Sequence, residues 1–144
     1  NFPWQDLPAR GYQDVGLLRA SVNNAREYLR SRQRDFVRCY QPSALRLFER
    51  AERTLLLSGS CGLELFNNLH LPAEVLSRIS LFACGPGARR RPACRHLLVQ
   101  GQRDVISRLW FSQVDVRIDG GHMDYLTRPE LPELCRQFLA EEGA

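Results

Sequence analysis

Four short apolar runs recur along the chain: 54-TLLLS-58, 79-ISLFA-83, 96-HLLVQ-100 and 114-VDVRI-118. The first is too short for a core helix and too uniformly apolar for a strand with one face in water. It reads as a strand buried on both faces, the signature of a parallel sheet. Parallel strands need crossover connections, and the sequence leaves room for them. Residues 61–77 can hold a helix, Ser107 to Phe111 a short one, and 129-PELPELCRQFLAE-141 a closing amphipathic helix. The chain is therefore expected to be α/β, three layers with a mostly parallel sheet of about four to five strands and helices on both faces, in one domain over 1–144.

Ahead of the first strand, Asp14 is expected to cap a helix running to about Cys39. Val15, Leu18, Val22, Ala25, Leu29 and Phe36 follow helical spacing in part, and Gln41-Pro42 should end the helix. Pro42 then suits the first turn of a second helix through Ala51, with Leu45, Leu47 and Phe48 facing inward. Residues 1–11, with two Pro and one Gly, read as an extended piece and a loop.

The net charge is +4, and all 20 basic residues are Arg. An all-Arg complement points to codon usage more than to a nucleic-acid surface, and no nucleic-acid partner is expected. The five cysteines, Cys39, Cys61, Cys84, Cys94 and Cys135, are widely spaced and odd in number. They read as reduced, mostly buried thiols of a cytoplasmic protein. No cysteine pair has a histidine at ligand spacing, so no metal is expected. No apolar run is long enough for a membrane span, and no signal peptide stands out. A first residue of Asn suggests processing or a piece of a longer chain.

The polar residues after the strands carry the chemistry. In an open parallel sheet, ligands gather at the carboxyl ends of the strands. The first strand runs into Ser58-Gly59-Ser60-Cys61-Gly62, a small-x-Ser-x-Gly pattern centred on Ser60. Small residues two before and two after suit a backbone bent sharply at the serine. The third strand is followed by 101-GQRD-104 and the fourth by 119-DGGHMDYL-126, which place Asp104 and His122 just past their strands. Ser60 alone reads as a turn residue, Cys61 is a rival at the elbow, and His70 and His96 read as structural. Centring the pattern on Cys61 would put Leu63 where a small residue belongs.

The order Ser60, Asp104, His122 resembles that of the α/β-hydrolase family, and the likeness runs from Trp4 onward. The segment 4-WQDLPARG-11 is similar to the loop after that family's fourth strand, and 54–69 to its fifth strand, elbow and helix. The resemblance implies a truncated α/β-hydrolase fold, a serine hydrolase acting on a small ester or thioester, and no cofactor. Ser60 would be the nucleophile, His122 the base, Asp104 the orienting acid and the Cys61 backbone N–H an oxyanion donor. Three strands and a His-Gly oxyanion loop of the family have no counterpart before Ser60. Losing one such donor costs about 3–4 kcal/mol of transition-state stabilisation. An inactive relative serving as a binding or structural module is therefore the alternative. A third reading takes Arg89, Arg90 and Arg91 as an anion-binding run. With 84–95 too short for a lid, any site should be open. A missing strand beside 54–58 would leave an edge open to a second copy of the chain, giving a homodimer or an aggregation-prone monomer.

Overall fold

The computed structural model describes residues 17–141. Helices α1 (Leu17–Arg30) and α2 (Arg34–Phe48) lead into β1 (Thr54–Gly59), α3 (Gly62–Asn67), α4 (Ala73–Leu76) and β2 (Ile79–Cys84). Then follow β3 (Arg95–Gly101), α5 (Val105–Arg108), β4 (Val116–Ile118), a 3-10 turn at Tyr125–Thr127 and α6 (Glu130–Ala140). The four strands pair in sequence order, every pair parallel, with Thr54 opposite Ile79, Ser80 opposite Arg95 and Val99 opposite Val116. The chain is α/β with an all-parallel sheet, as its apolar runs implied.

Alternation along the strands separates two cores. Ile79, Leu81 and Ala83 of β2 share one face with Leu56 and Leu98, under Phe36, Ala44 and Phe48 of α2 and Leu63 and Phe66 of α3. Phe82 and Val99 point to the other face, packed by Leu131, Leu134 and Phe138 of α6. At β1 this second layer gives out, and Leu57 is 66% exposed. Among the described residues β1 pairs only with β2 and forms one edge of the sheet. Residues 1–11, expected as an extended piece and a loop, lie outside the described residues, as does Asp14, the expected helix cap.

The helical region departs from expectation. The break falls at Ser31–Gln33, and α2 runs through Pro42 instead of starting there. Proline removes one N–H from the helix ladder. Pro42 and Arg38 are both exposed, so water can take the carbonyl that Pro42 cannot serve. The break at Ser31 has a tertiary cause. Its buried hydroxyl donates to the Tyr28 carbonyl at 2.8 Å and accepts from Asn68 Nδ2 at 3.0 Å, pinning the turn to the end of α3.

Glu64 holds α3 to the loop after β2. Its side chain is 1% exposed, with Oε1 2.8 Å from Arg89 Nε and Oε2 accepting from the Arg89 backbone N–H at 3.0 Å. Arg89 itself is half in water. Removing the arginine side chain leaves a buried carboxylate without its charge partner, whereas Glu64→Gln leaves a solvated cation and a side chain that still bonds. Arg89→Ala should therefore cost about 2–3 kcal/mol and Glu64→Gln about 1 kcal/mol. Urea unfolding of both variants checks this, and the reverse order of costs would contradict it.

Candidate functional site

Ser60 stands on the turn between β1 and α3 with φ at +48°, a left-handed conformation that non-glycine residues adopt at a cost. The turn leaves no room two residues on. A Cβ at Gly62 would come within 2.9 Å of Ser58 Oγ. The bend is locked from below, where Ser60 N–H donates to the Cys84 carbonyl at 3.2 Å and the Ser60 carbonyl accepts from Gly87 N–H at 2.9 Å. Gly85-Pro86-Gly87, seen in the sequence only as part of an Arg-bearing loop, thus supports the serine.

Asp104 follows β3 and caps α5, its Oδ1 accepting from Ser107 N–H at 2.9 Å. The residue is 0% exposed. A carboxylate so buried needs donors on both oxygens. Oδ2 receives the Tyr125 hydroxyl at 2.6 Å, and that hydroxyl accepts from Gly101 N–H at 2.8 Å. His122, on the loop after β4, completes the set, with Nδ1 3.0 Å from Oδ1 and 2.9 Å from Oδ2. On its far side His122 Nε2 lies 3.2 Å from Ser60 Oγ. The three residues picked out in the sequence thus meet at the carboxyl ends of β1, β3 and β4, with His122 in the middle.

The His122 loop is held by its own turn. Asp124 Oδ2 accepts from Gly121 N–H at 2.7 Å. That bond, with Arg128 and Arg103 nearby, holds the Asp124 carboxyl below its ordinary range. Gly120, at φ +134°, makes the bend.

Cys61 sits at the N-cap of α3, so its backbone N–H belongs to the first turn, where amides lack intrahelical acceptors. Its thiol packs against the α2–α3 core, and burial pushes its pKa up. Cys84 is also raised by burial, to about 12, and Cys94 to about 11. None of these is a ready thiolate near neutrality. Among the described residues no group of three or more His, Cys, Asp and Glu is placed to hold a metal ion. No helix there is long and apolar enough to cross a membrane.

The arginines of the third reading are engaged within the fold: Arg89 with Glu64, Arg90 with the Asn67 carbonyl at 3.1 Å, and Arg91 with Asp115 at 2.8 Å. His96 is held by the Cys94 carbonyl at 2.8 Å, and the His70 carbonyl accepts from Gln41, so neither bond involves Ser60, Asp104 or His122. Sequence reasoning missed Tyr125 and Ser107. The only cue to Tyr125 was its place three residues after His122, and nothing local says that it reaches back to Asp104.

A cavity of about 570 Å³ opens over Ser60 and His122, and α1 walls one side through Ala20, Ser21 and Asn24. Residues 84–95 hold no lid, but the site has a wall that the sequence did not suggest. No protein-family model matches the chain, and a search of curated proteins finds no match.

Two glycines should respond to the same change by very different amounts. Gly85 has φ +56°, and a Cβ there would lie 2.7 Å from the Tyr125 ring and 2.8 Å from Asp104 Oδ2. Gly85→Ala should cost about 2–4 kcal/mol from overpacking and left-handed strain. Gly59→Ala meets nothing within 4 Å and should change stability by about 0.5 kcal/mol or less. Denaturant melts of the pair measure the contrast, and equal costs would contradict the packing around Asp104.

Proposed function

We propose that this chain is a serine hydrolase of α/β-hydrolase type, acting on a carboxylic ester or thioester. The observation that carries the reading is the unbroken series from buried Asp104 through His122 to Ser60 Oγ, the last step 3.2 Å. The serine lies on a strained strand-to-helix turn, where the bend exposes a nucleophile.

In this reading the Nδ1–H of His122 donates to Asp104, which fixes the tautomer and leaves Nε2 free to accept. Ser60 Oγ attacks the carbonyl carbon as its proton passes to Nε2. The oxyanion that forms takes a hydrogen bond from Cys61 N–H. The C–O or C–S bond to the leaving group then breaks, and His122 returns the proton to that group. Water, activated by the same imidazole, hydrolyses the acyl-serine and restores the enzyme. Asp104 stays ionised throughout and stabilises the imidazolium.

A fluorophosphonate probe tests the reading directly. It should label Ser60 covalently in the parent and fail in Ser60→Ala. His122→Ala should label at least a hundredfold more slowly, since general-base help contributes about 10²–10⁴. Cys61→Ala, which keeps the backbone N–H, should label as the parent does. Labelling in Ser60→Ala equal to the parent would rule out Ser60 as the nucleophile.

A cytoplasmic setting fits five cysteines that form no disulfide. The β1 edge supports a second proposal, that two copies pair there or the lone chain aggregates. Strand edges template pairing, and exposed Leu57 adds apolar surface. Light scattering should give a dimer mass or aggregates. A stable monomer with well-protected amides along Leu55–Leu57 would contradict it.

A further inference from the structure

The cavity over Ser60 says something about what the serine would act on, given the hydrolase reading. Its volume of about 570 Å³ lies within the range of about 300–1,000 Å³ usual for small-molecule sites. Among the described residues no Arg, Asp or Glu side chain lines it. That is informative in a chain with 20 arginines. A carboxylate or phosphate on the substrate would call for a guanidinium at the wall. The two arginines on the loops that carry the acid and the base are committed elsewhere. Arg103 pairs with Asp119 at 2.6 Å, and Arg128 lies 3.4 Å from Asp119 and 3.6 Å from Asp124.

The wall is instead built from Ile106, Met123 and Leu126, with Cys84 and Tyr125 deeper in. Ile106 is 51%, Met123 68% and Leu126 95% exposed. Three large apolar side chains left in water around one opening mark a surface meant to be covered. All three come from the segments that follow β3 and β4, the same segments that deliver Asp104 and His122. Whatever covers them is thereby held against the reacting serine.

We propose that this cavity receives the neutral, apolar acyl chain of an ester or thioester, and that Ile106, Met123 and Leu126 set the chain-length preference. Each methylene buried there gains about 0.8 kcal/mol, about fourfold in kcat/KM. Only part of each chain will be buried, because the cavity is open to solvent on one side.

The test is a p-nitrophenyl ester series with one leaving group and acetyl, butyryl, hexanoyl and octanoyl chains, run beside fluorophosphonate labelling of Ser60. kcat/KM should rise at least tenfold from acetyl to octanoyl in the parent. Ile106→Glu and Met123→Glu should cut the octanoyl-to-acetyl ratio at least fivefold. Val105→Glu, next to Ile106 but outside the cavity lining, should keep the parent's ratio. A flat or falling profile in a parent that labels at Ser60 overturns the apolar-chain proposal and leaves the hydrolase reading standing. So does an unchanged ratio in both glutamate variants while they still label. Absence of labelling in the parent overturns the hydrolase reading and this proposal with it.

Discussion

A carboxylate with no access to water sets the terms for the carboxyl end of the sheet. Asp104 is satisfied by an amide from α5, a phenol from the 3-10 turn and an imidazole from the loop after β4. None of these donors is close to another in the chain, apart from Tyr125 and His122. Burying an ion without such partners would cost several kcal/mol, so the loops after β3 and β4 are obliged to converge on it. Tyr125 answers to the same demand. Burial and the hydrogen bond to Asp104 both push its pKa up, keeping the phenol protonated as a donor. Gly85 is required where it is because this cluster leaves no space for a side chain beside it.

The same group divides its hydrogen-bonding capacity in a useful way. Ser107 N–H and the Tyr125 hydroxyl fix the carboxylate's orientation, and the edge that remains meets His122 through both oxygens at nearly equal distances. The imidazole is thus aligned by two acceptors, and its other nitrogen points to Ser60. Ser107 is itself tied down, donating to the Pro86 carbonyl at 2.9 Å and accepting from Gln100 Nε2 at 3.1 Å. Through Pro86 and Gly87 that chain of contacts returns to the backbone under Ser60, so acid and serine share one supporting loop.

How far the sequence announces this arrangement depends on the range of the forces involved. The strands were legible because burial on both faces leaves an apolar run with no alternation, as in 79-ISLFA-83. Ser60, Asp104 and His122 were legible because each follows its strand within a few residues, and a parallel sheet puts such positions together. What was not legible is long-range. The break at Ser31 depends on Asn68, and the continuation of α2 through Pro42 depends on a solvated carbonyl. Gln41 adds a tie of the same kind, its Nε2 donating to the Leu69 carbonyl at 3.0 Å. The run 89-RRR-91 looked like one basic patch, yet its three side chains turn to three different partners.

The ends of β3 and β4 touch backbone to backbone. A side chain at Gly101 would collide with the Gly120 carbonyl, and Gln102 N–H donates to the Ile118 carbonyl while Arg103 N–H donates to that of Gly120, each at 2.9 Å. β4 is only three residues long and, among the described residues, is bonded to the sheet along one side. Its docking is therefore what brings His122 to Asp104. Segments held by few ladder bonds open locally at a fraction of the free energy of global unfolding. Transient detachment of β4 would dissolve the constellation around Ser60 while β1, β2 and β3 stayed folded. Amide exchange at Val116–Ile118 would then report on the assembly of the site more directly than the melting of the domain does.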